Sequence, residues 1–299
     1  HSGSGDTRVF KECAQLGTEL KGLGDELLGA KNPAEVGIIF DWDNYWALEY
    51  TSGPNIDMKY VDQIHQYYRY FYERHLPVDM IPIDGDFSRY KVICAPVLYM
   101  VKEGVAEALE RFVEAGGTLV TGMMSGIVDQ SDNVHLGGYP GPLRKMCGIW
   151  AEEIDALAPE QGNTLVFGDG SWSKCSLLCD LIRLEGAEVG ASYGEDFYKG
   201  TPAVTRNSFG SGKVYYVGTQ PDSEGLARIL DELKVEPLVR DETPLEIDKR
   251  VIDGREYWFI INLTGTPQAM PESFKGETDM LTGREVEELS GFDTVIVKR

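Results

Sequence analysis

Carboxylates, an amide and aromatic rings follow one short apolar stretch of the sequence. Residues 36–40 are apolar or glycine, and directly after them come Asp41, Trp42, Asp43, Asn44, Tyr45 and Trp46. Such a run is typical of a buried parallel strand, and open α/β sheets usually place their sites at the carboxyl ends of these strands. We therefore predict that these six side chains form a candidate site at one edge of a sheet.

Two cysteines have a spacing that could serve a metal. Cys175 and Cys179 are four residues apart and could share one face of a helix. No Cys or His pair accompanies them, so we interpret both as buried small apolar side chains and expect no metal and no cofactor. The chain has 5 cysteines, an odd and sparse set that favours reduced thiols in the cytoplasm over a disulfide framework.

An alternation of strands and helices must position the candidate groups. The pattern predicts strands at 36–40, 78–83, 91–97 and 118–121, with helices at 58–75 and 102–115. Strands separated by helical segments predict a parallel sheet with right-handed crossovers. The expected fold class is therefore α/β, with a doubly wound, mostly parallel sheet. From about residue 239, short alternating runs predict a small C-terminal antiparallel β domain.

A separate helix precedes the first strand, and a long glycine-rich loop interrupts the alternation. The helix repeats apolar residues at helical spacing and must cover something: Val9, Phe10, Cys13, Leu16, Leu20, Leu23 and Leu27. The loop spans 123–145. Its glycines and prolines suit a subunit contact better than a phosphate site, which would need a helix N-terminus. The candidate interface residues are His135, Gly137, Gly138, Tyr139, Pro140 and Arg144.

The charge of the chain argues against polyanionic partners. The sequence has 28 Lys+Arg against 49 Asp+Glu, for a net charge of -21. No basic stripe interrupts this excess, so repulsion disfavours nucleic-acid backbones and anionic lipid surfaces. No apolar stretch approaches the roughly 20 residues that a bilayer span needs. We expect neither a nucleic-acid nor a membrane partner.

Four stretches in one order suggest a family. They are 1–3 together with 6–12, then 40–49, 125–129 and 135–144. Together they resemble the β-galactosidases of glycoside hydrolase family 42, in the part that follows the catalytic barrel. The family more often has Glu and Trp at the positions of Asp43 and Tyr45.

The resemblance implies a domain organisation. Residues 1–30 would be the final helix of a missing (β/α)8 barrel, residues 31–238 a trimerisation domain, and residues 239–299 a small β domain. The middle domain would be class I glutamine amidotransferase-like, which is a flavodoxin-like arrangement. The complete protein would be a homotrimer through residues 31–238, would bind its galactoside substrate only through the barrel, and would cleave terminal β-galactosides with retention.

The present chain is expected to be inactive alone. A retaining glycosidase needs two carboxyl groups about 5 to 5.5 Å apart, and in the resembled family the acid/base glutamate follows an asparagine. This chain contains no Asn-Glu dipeptide. For 41–46 two interpretations remain. Either the rings and polar groups face the barrel mouth and contact sugar, or the rings pack at an interface and the carboxylates cap the following helix, which we favour.

Two other function classes remain as alternatives. One is a free-standing amidotransferase-like or hydrolase enzyme, in which Ser125 would be the nucleophile, although 121–126 does not match the usual elbow motif. We interpret His65 and His75 as surface or packing residues, and His135 has no evident acid partner, so no triad is predicted. The other is a carbohydrate-binding module that uses Trp42, Tyr45 and Trp46.

Overall fold

The computed structural model describes residues 3–51 and 53–299 of the chain. The chain divides into two compact units. Unit 1 combines the residues up to Pro33 with Tyr72–Pro77 and Glu236–Arg299. Unit 2 combines Ala34–Phe71 with Val78–Val235.

Unit 2 is built on one large sheet. Its strands are β1 (Val36–Ile39), β2 (Val78–Ile81), β3 (Val92–Ala95), β4 (Thr118–Gly122), β5 (Ile149–Ala156), β6 (Asn163–Phe167), β7 (Trp172–Leu184), β8 (Glu188–Tyr193), β9 (Pro202–Phe209), β10 (Gly212–Val217) and β11 (Thr219–Pro221). Their order in the sheet is β11-β7-β6-β8-β9-β10-β4-β3-β1-β2, and β5 also pairs with β7.

Six α-helices lie in the described part of the chain. They are α1 (Arg8–Leu23), α2 (Trp42–Thr51), α3 (Tyr60–Tyr72), α4 (Val105–Glu114), α5 (Arg144–Cys147) and α6 (Ser223–Leu230). Helix α4 follows its apolar pattern closely, because Leu109 and Val113 are fully buried in the core formed with the parallel strands. None of the described helices has the length and apolar character needed to cross a bilayer.

The prediction of a doubly wound, mostly parallel, flavodoxin-like sheet is wrong. Within the described residues, β1–β2, β1–β3, β3–β4 and β4–β10 pair in parallel. The other pairings of this sheet, which involve β5 to β11, are antiparallel. The cause is the segment between Ile149 and Pro221, where strand follows strand without a helical crossover. Short connections join antiparallel neighbours, so the sheet is mixed.

Strand β7 confirms that the two cysteines are buried and corrects only their possible placement on a helix. Cys175 and Cys179 lie on a strand, not on a helix face, and both are buried. The register against β11 shifts between Thr219 and Gln220, and Leu177 has a left-handed backbone (φ 67°). The bulge explains why the sequence did not predict this strand, because it disturbs the alternation of buried and exposed residues by which a strand is recognised.

Unit 1 contains the small sheets and α1. Strands β12 (Glu246–Ile252), β13 (Arg255–Ile261) and β16 (Thr294–Lys298) form an antiparallel sheet in the order β12-β13-β16. Strands β14 (Gln268–Ala269) and β15 (Glu288–Leu289) form a second, two-stranded sheet. The three-stranded sheet packs a core that includes Ile260, Phe274 and Val297.

Helix α1 leaves its apolar stripe exposed. Leu23 is its one buried residue, whereas Val9, Phe10, Leu16 and Leu20 are each more than half exposed. The segment after the helix is tied to the small sheet: Tyr257 and Lys298 donate hydrogen bonds to Glu26 at 2.5 and 2.6 Å. The described residues therefore hold the end of α1 but do not cover its apolar face.

Candidate functional site

The candidate site begins at the junction between β1 and α2. Asp41 is buried, and its Oδ2 accepts hydrogen bonds from the backbone N–H of Asn44 at 3.1 Å and from its Nδ2 at 2.7 Å. This carboxylate satisfies a donor that the first turn of a helix leaves without a partner. The capping interpretation is therefore confirmed for Asp41. The residues after it are helical rather than extended.

Asn44 joins this junction to the loop that follows β3. Its side chain is fully buried, its Oδ1 accepts the N–H of Met100 at 2.7 Å, and its Nδ2 donates to the Met100 carbonyl at 3.1 Å. With the bond to Asp41, the amide has both donor and acceptor occupied. A buried polar group must be satisfied in this way, so Asn44 fixes the relative position of two loops.

One lysine bridges the two acidic residues. The Nζ of Lys102 lies 2.7 Å from Oδ1 of Asp41 and 2.6 Å from Oδ2 of Asp43. Partial burial lowers the pKa of Lys102, but the hydrogen bonds to Asp41 and Asp43 outweigh it, and the pKa is raised above its usual value. The lysine therefore stays charged, and it neutralises much of the negative charge of this edge.

The aromatic side chains form a connected group beside the polar ones. The ring of Trp42 lies 5.1 Å from Phe40, 6.0 Å from Tyr45 and 6.0 Å from Trp46, measured between ring centroids. Tyr45 also lies 6.2 Å from Tyr60. Trp42 and Trp46 nevertheless remain 58% and 52% exposed. The two indole rings are thus held by contacts with neighbouring rings, while their exposed surfaces are free to contact another molecule.

Five of the six predicted residues therefore fall into two sets, and the sixth, Tyr45, is half-buried. Asp41 and Asn44 are buried and bonded within the protein, so they hold the junction together. Trp42, Asp43 and Trp46 are exposed, and stacking rings beside a carboxylate can contact a polyhydroxylated ligand. The arrangement can bind and orient a molecule.

Sequence reasoning missed Lys102 and Tyr60. The hydroxyl of Tyr60 accepts the backbone N–H of Asp41 at 3.0 Å, and burial raises the pKa of this phenol. A signal for Lys102 was present, because it follows β3, the parallel neighbour of β1, and carboxyl ends of adjacent parallel strands meet at one edge. Tyr60 gave no comparable signal.

The glycine-rich loop is held by tight backbone approaches. At Gly126 (φ +68°) a Cβ would lie 2.0 Å from the carbonyl oxygen of Pro140, and at Gly138 (φ +89°) 2.1 Å from Nε1 of Trp150. The carbonyl of Tyr139 accepts the N–H of Ala151 at 2.9 Å. The loop is therefore packed against its surroundings along much of its length.

Arg144 fastens the end of the same loop. Its Nη1 donates to the carbonyl of Gly137 at 2.7 Å, and its Nε donates to Glu185 at 2.7 Å. The bond to Glu185 raises the pKa of this guanidinium. In His135, Nε2 is buried and has no hydrogen-bond partner among the described residues. Between these anchored residues the tip of the loop projects outward, and Leu136 is 96% exposed.

The turn after β4 carries a serine in a structural role. Ser125 is fully buried, and its Oγ accepts the N–H of Leu98 at 3.0 Å and lies 2.9 Å from Oγ1 of Thr121. The residue before it, Met124, has a left-handed backbone (φ 59°), a strain that the sequence did not predict. The strained residue is thus a methionine, and the hydroxyl of Ser125 next to it holds the turn through its hydrogen bonds.

Comparison with known proteins places the chain among β-galactosidase sequences. The family profile described as the beta-galactosidase trimerisation domain matches residues 34–239. The chain is 46% identical over 304 residues to beta-galactosidase LacZ of Lactobacillus acidophilus, covering 100% of the chain and 45% of that protein. It is 52% identical over 272 residues to beta-galactosidase BgaA of a Planococcus species, covering 88% of the chain and 40% of that protein.

Solved structures give the same result. A beta-galactosidase from Bacillus circulans sp. alkalophilus superposes with a TM-score of 0.89 at 44% identity, covering 100% of this chain and 46% of that one. A cold-adapted beta-galactosidase from Rahnella sp. R3 superposes with a TM-score of 0.83 at 36% identity, covering 98% and 45%. The chain spans less than half the length of these relatives.

Proposed function

Because the chain belongs to the family of trimerisation domains found in glycoside hydrolase family 42 β-galactosidases, we propose that it assembles a complete β-galactosidase. The assignment confirms the resemblance predicted from the sequence. The trimerisation domain is a non-catalytic region of such an enzyme. The complete protein hydrolyses terminal β-galactosides with retention, through a barrel outside this chain.

The exposed face of α1 is the observation that carries this proposal. A helix of 16 residues is marginal in water unless packing stabilises it. Here the apolar stripe that includes Phe10, Leu16 and Leu20 is exposed, although the end of the helix is anchored through Glu26. The occupant we propose for this face is the catalytic barrel, whose final helix would be residues 1–30. Residues 31–238 are then the trimerisation domain and residues 239–299 the small β domain.

The exposed half of the candidate site faces the barrel mouth in this proposal. Trp42, Asp43 and Trp46 line the approach to the galactoside, while Asp41 and Asn44 hold their position from within. The exposure of both indole rings supports this arrangement. The same exposure supports a second candidate function, in which the chain by itself binds carbohydrate through Trp42, Tyr45 and Trp46.

The subunit contact in this proposal uses the glycine-rich loop. Leu136 and Val134 project from a loop whose ends are fixed. Their side chains can therefore pack against a neighbouring copy of the chain without a large loss of conformational entropy. The assembly is a homotrimer. The cysteines, all free thiols, support a reducing, cytoplasmic location.

Sedimentation of the chain with a charged substitution at the loop tip tests the assembly role. Leu136→Asp should weaken self-association at least tenfold without lowering stability, because Leu136 is 96% exposed and contributes little to the core. Phe292→Asp is the matched control, since Phe292 is 78% exposed but lies outside residues 31–238. A chain that stays monomeric at every concentration, or equal effects of both substitutions, would contradict the proposal.

A further inference from the structure

The outer face of the antiparallel strands carries an exposed tryptophan that the assembly role does not use. Trp172 begins β7 and is 62% exposed. Along β7 the side chains alternate, so Trp172 and Lys174 face solvent while Ser173 and Cys175 are buried. No aromatic ring or hydrogen-bond partner within residues 3–51 and 53–299 engages the indole, so its face is available to a ligand.

Neighbouring strands widen this face into a platform. In the β6–β7 pairing, Val166 lies opposite Trp172 and Thr164 lies opposite Lys174. Residues paired across strands share one face of the sheet, so a flat apolar surface of indole and valine lies beside hydroxyl and ammonium groups. The pyranose ring of a sugar has this same combination, with C–H groups on its faces and hydroxyls at its rim.

A pocket opens at the edge of the platform. Its volume is about 550 Å³, and its lining includes Glu160, Gln161, Trp172, Lys174 and Glu195. This volume falls within the range of roughly 300–1,000 Å³ that is typical of small-molecule sites. A saccharide of one or two rings fits a space of this size.

The charges around the pocket select for a neutral ligand. Glu160, Glu195 and Lys174 form no ion pair within the described part of the chain, and their summed charge is negative. An anion would meet this charge and the net charge of -21 of the whole chain. A sugar hydroxyl can instead donate to a carboxylate and accept from the ammonium or the Gln161 amide.

We propose that the pocket beside Trp172 binds a neutral pyranose saccharide. The sugar stacks one C–H face on the indole of Trp172, and its hydroxyls bond to Glu160, Gln161, Lys174 and Glu195. The site lies on β6, β7 and their connecting loops and shares no residue with the Asp41–Trp46 group. This site goes beyond the assembly role, because it binds carbohydrate to the trimerisation domain and does not cleave the carbohydrate.

Titration with lactose, maltose and galactose tests the site. Tryptophan fluorescence and saturation-transfer NMR should show saturable binding of at least one sugar, with a dissociation constant of about 1–10 mM, as expected for a few hydrogen bonds and one stacked ring. Trp172→Ala should weaken this binding at least about tenfold, because the stacking surface is removed. Phe292→Ala is the matched control, since its aromatic ring is 78% exposed in unit 1 and has no part in either carbohydrate site, and it should leave the affinity unchanged.

Each other outcome overturns the proposal. No saturable change up to about 50 mM of any of the three sugars would show that the pocket does not bind saccharide. Loss of binding in Trp42→Ala but not in Trp172→Ala would place the carbohydrate at α2. A concentration-dependent sedimentation that Trp172→Ala abolishes, without sugar binding, would show that this face is a contact between copies. The assembly role is judged separately, by the Leu136→Asp result.

Discussion

Single side chains at the start of α2 show which groups hold the protein together and which remain free. The sequence predicted that the polar residues after residue 40 lie together, and it predicted the cap by Asp41. It did not reveal that Asn44 would bond both backbone groups of Met100, which is 56 residues away. Contacts between residues so far apart in the sequence depend on how two strand ends pack together. The local pattern of apolar and polar residues does not predict them.

Substitutions of the two acidic residues should separate these roles. Asp41→Ala removes a buried helix cap and one partner of Lys102, so it should lower the free energy of unfolding by about 2–4 kcal/mol. Asp43→Ala, whose side chain is 53% exposed, should cost less than about 1 kcal/mol. Urea denaturation of both variants provides the comparison. Equal losses would show that Asp41 has no special structural role.

A buried carboxyl on β7 should make stability depend on pH. Asp180 is 1% exposed, its Oδ2 accepts the Tyr216 hydroxyl at 2.7 Å, and its Oδ1 has no hydrogen-bond partner in the part of the chain that the structure describes. Burial raises the pKa of Asp180 from 3.8 to about 7, although the Tyr216 bond opposes this. Between these values the folded state retains a proton that the unfolded state releases, so its contribution to stability falls as pH rises.

The variant Asp180→Asn should remove that dependence. Its amide replaces the protonated carboxyl, so its stability relative to wild type should increase from pH 4 to pH 7 and level off above. Urea denaturation at several pH values measures the difference. Asp169→Asn is the control, because hydrogen bonds from Ser171 and Arg228 hold the pKa of Asp169 at about 2, and its effect should be constant over this range. A flat difference for Asp180→Asn would contradict the raised pKa.

Among the elements, the parallel strands and α4 were the most predictable and the antiparallel region the least. Strands β1 and β3 are buried along their whole length and read as uninterrupted apolar runs. Strand β7 mixes buried and exposed residues around a bulge, so its sequence matches neither a helical nor a strand period. The loop at 123–145 was recognised from its glycines, and the structure supplies the reason for two of them.

Glycine substitutions in that loop should differ sharply in effect. Gly126→Ala would place a Cβ 2.0 Å from the Pro140 carbonyl oxygen at a positive φ, so we expect a loss of at least about 3 kcal/mol in unfolding free energy. Gly137→Ala also has a positive φ, but no atom of the described residues lies within 4 Å of the new Cβ, so it should cost about 1 kcal/mol. Thermal unfolding compares the two. Similar losses would show that the loop can yield at Gly126.

At the scale of the whole molecule, charge opposes assembly. Each chain carries a net charge of -21, so copies that associate repel one another. The same excess is the reason why we expect no polyanionic partner, which stays a prediction. The mixed character of the sheet could not be predicted in the same way, because it follows from how 149–221 is connected rather than from composition.

Salt should therefore strengthen self-association of the chain. Raising NaCl from roughly 0.05 M to 0.5 M shortens the Debye length severalfold and screens the repulsion between copies. We expect the association constant to rise at least tenfold, measured by sedimentation equilibrium. Potassium chloride serves as a control for specific ion effects and should act equally. Dissociation on adding salt would instead show that ion pairs hold the copies together.

The paired indoles at the start of α2 also give the protein a built-in optical reporter. The rings of Trp42 and Trp46 have centroids 6.0 Å apart and are inclined by 36°, close enough for their electronic transitions to couple. Any domain, sugar or neighbouring subunit that covers this helix changes the surroundings of both chromophores together. Near-ultraviolet circular dichroism can thus follow the approach of a partner without a dye or an engineered label.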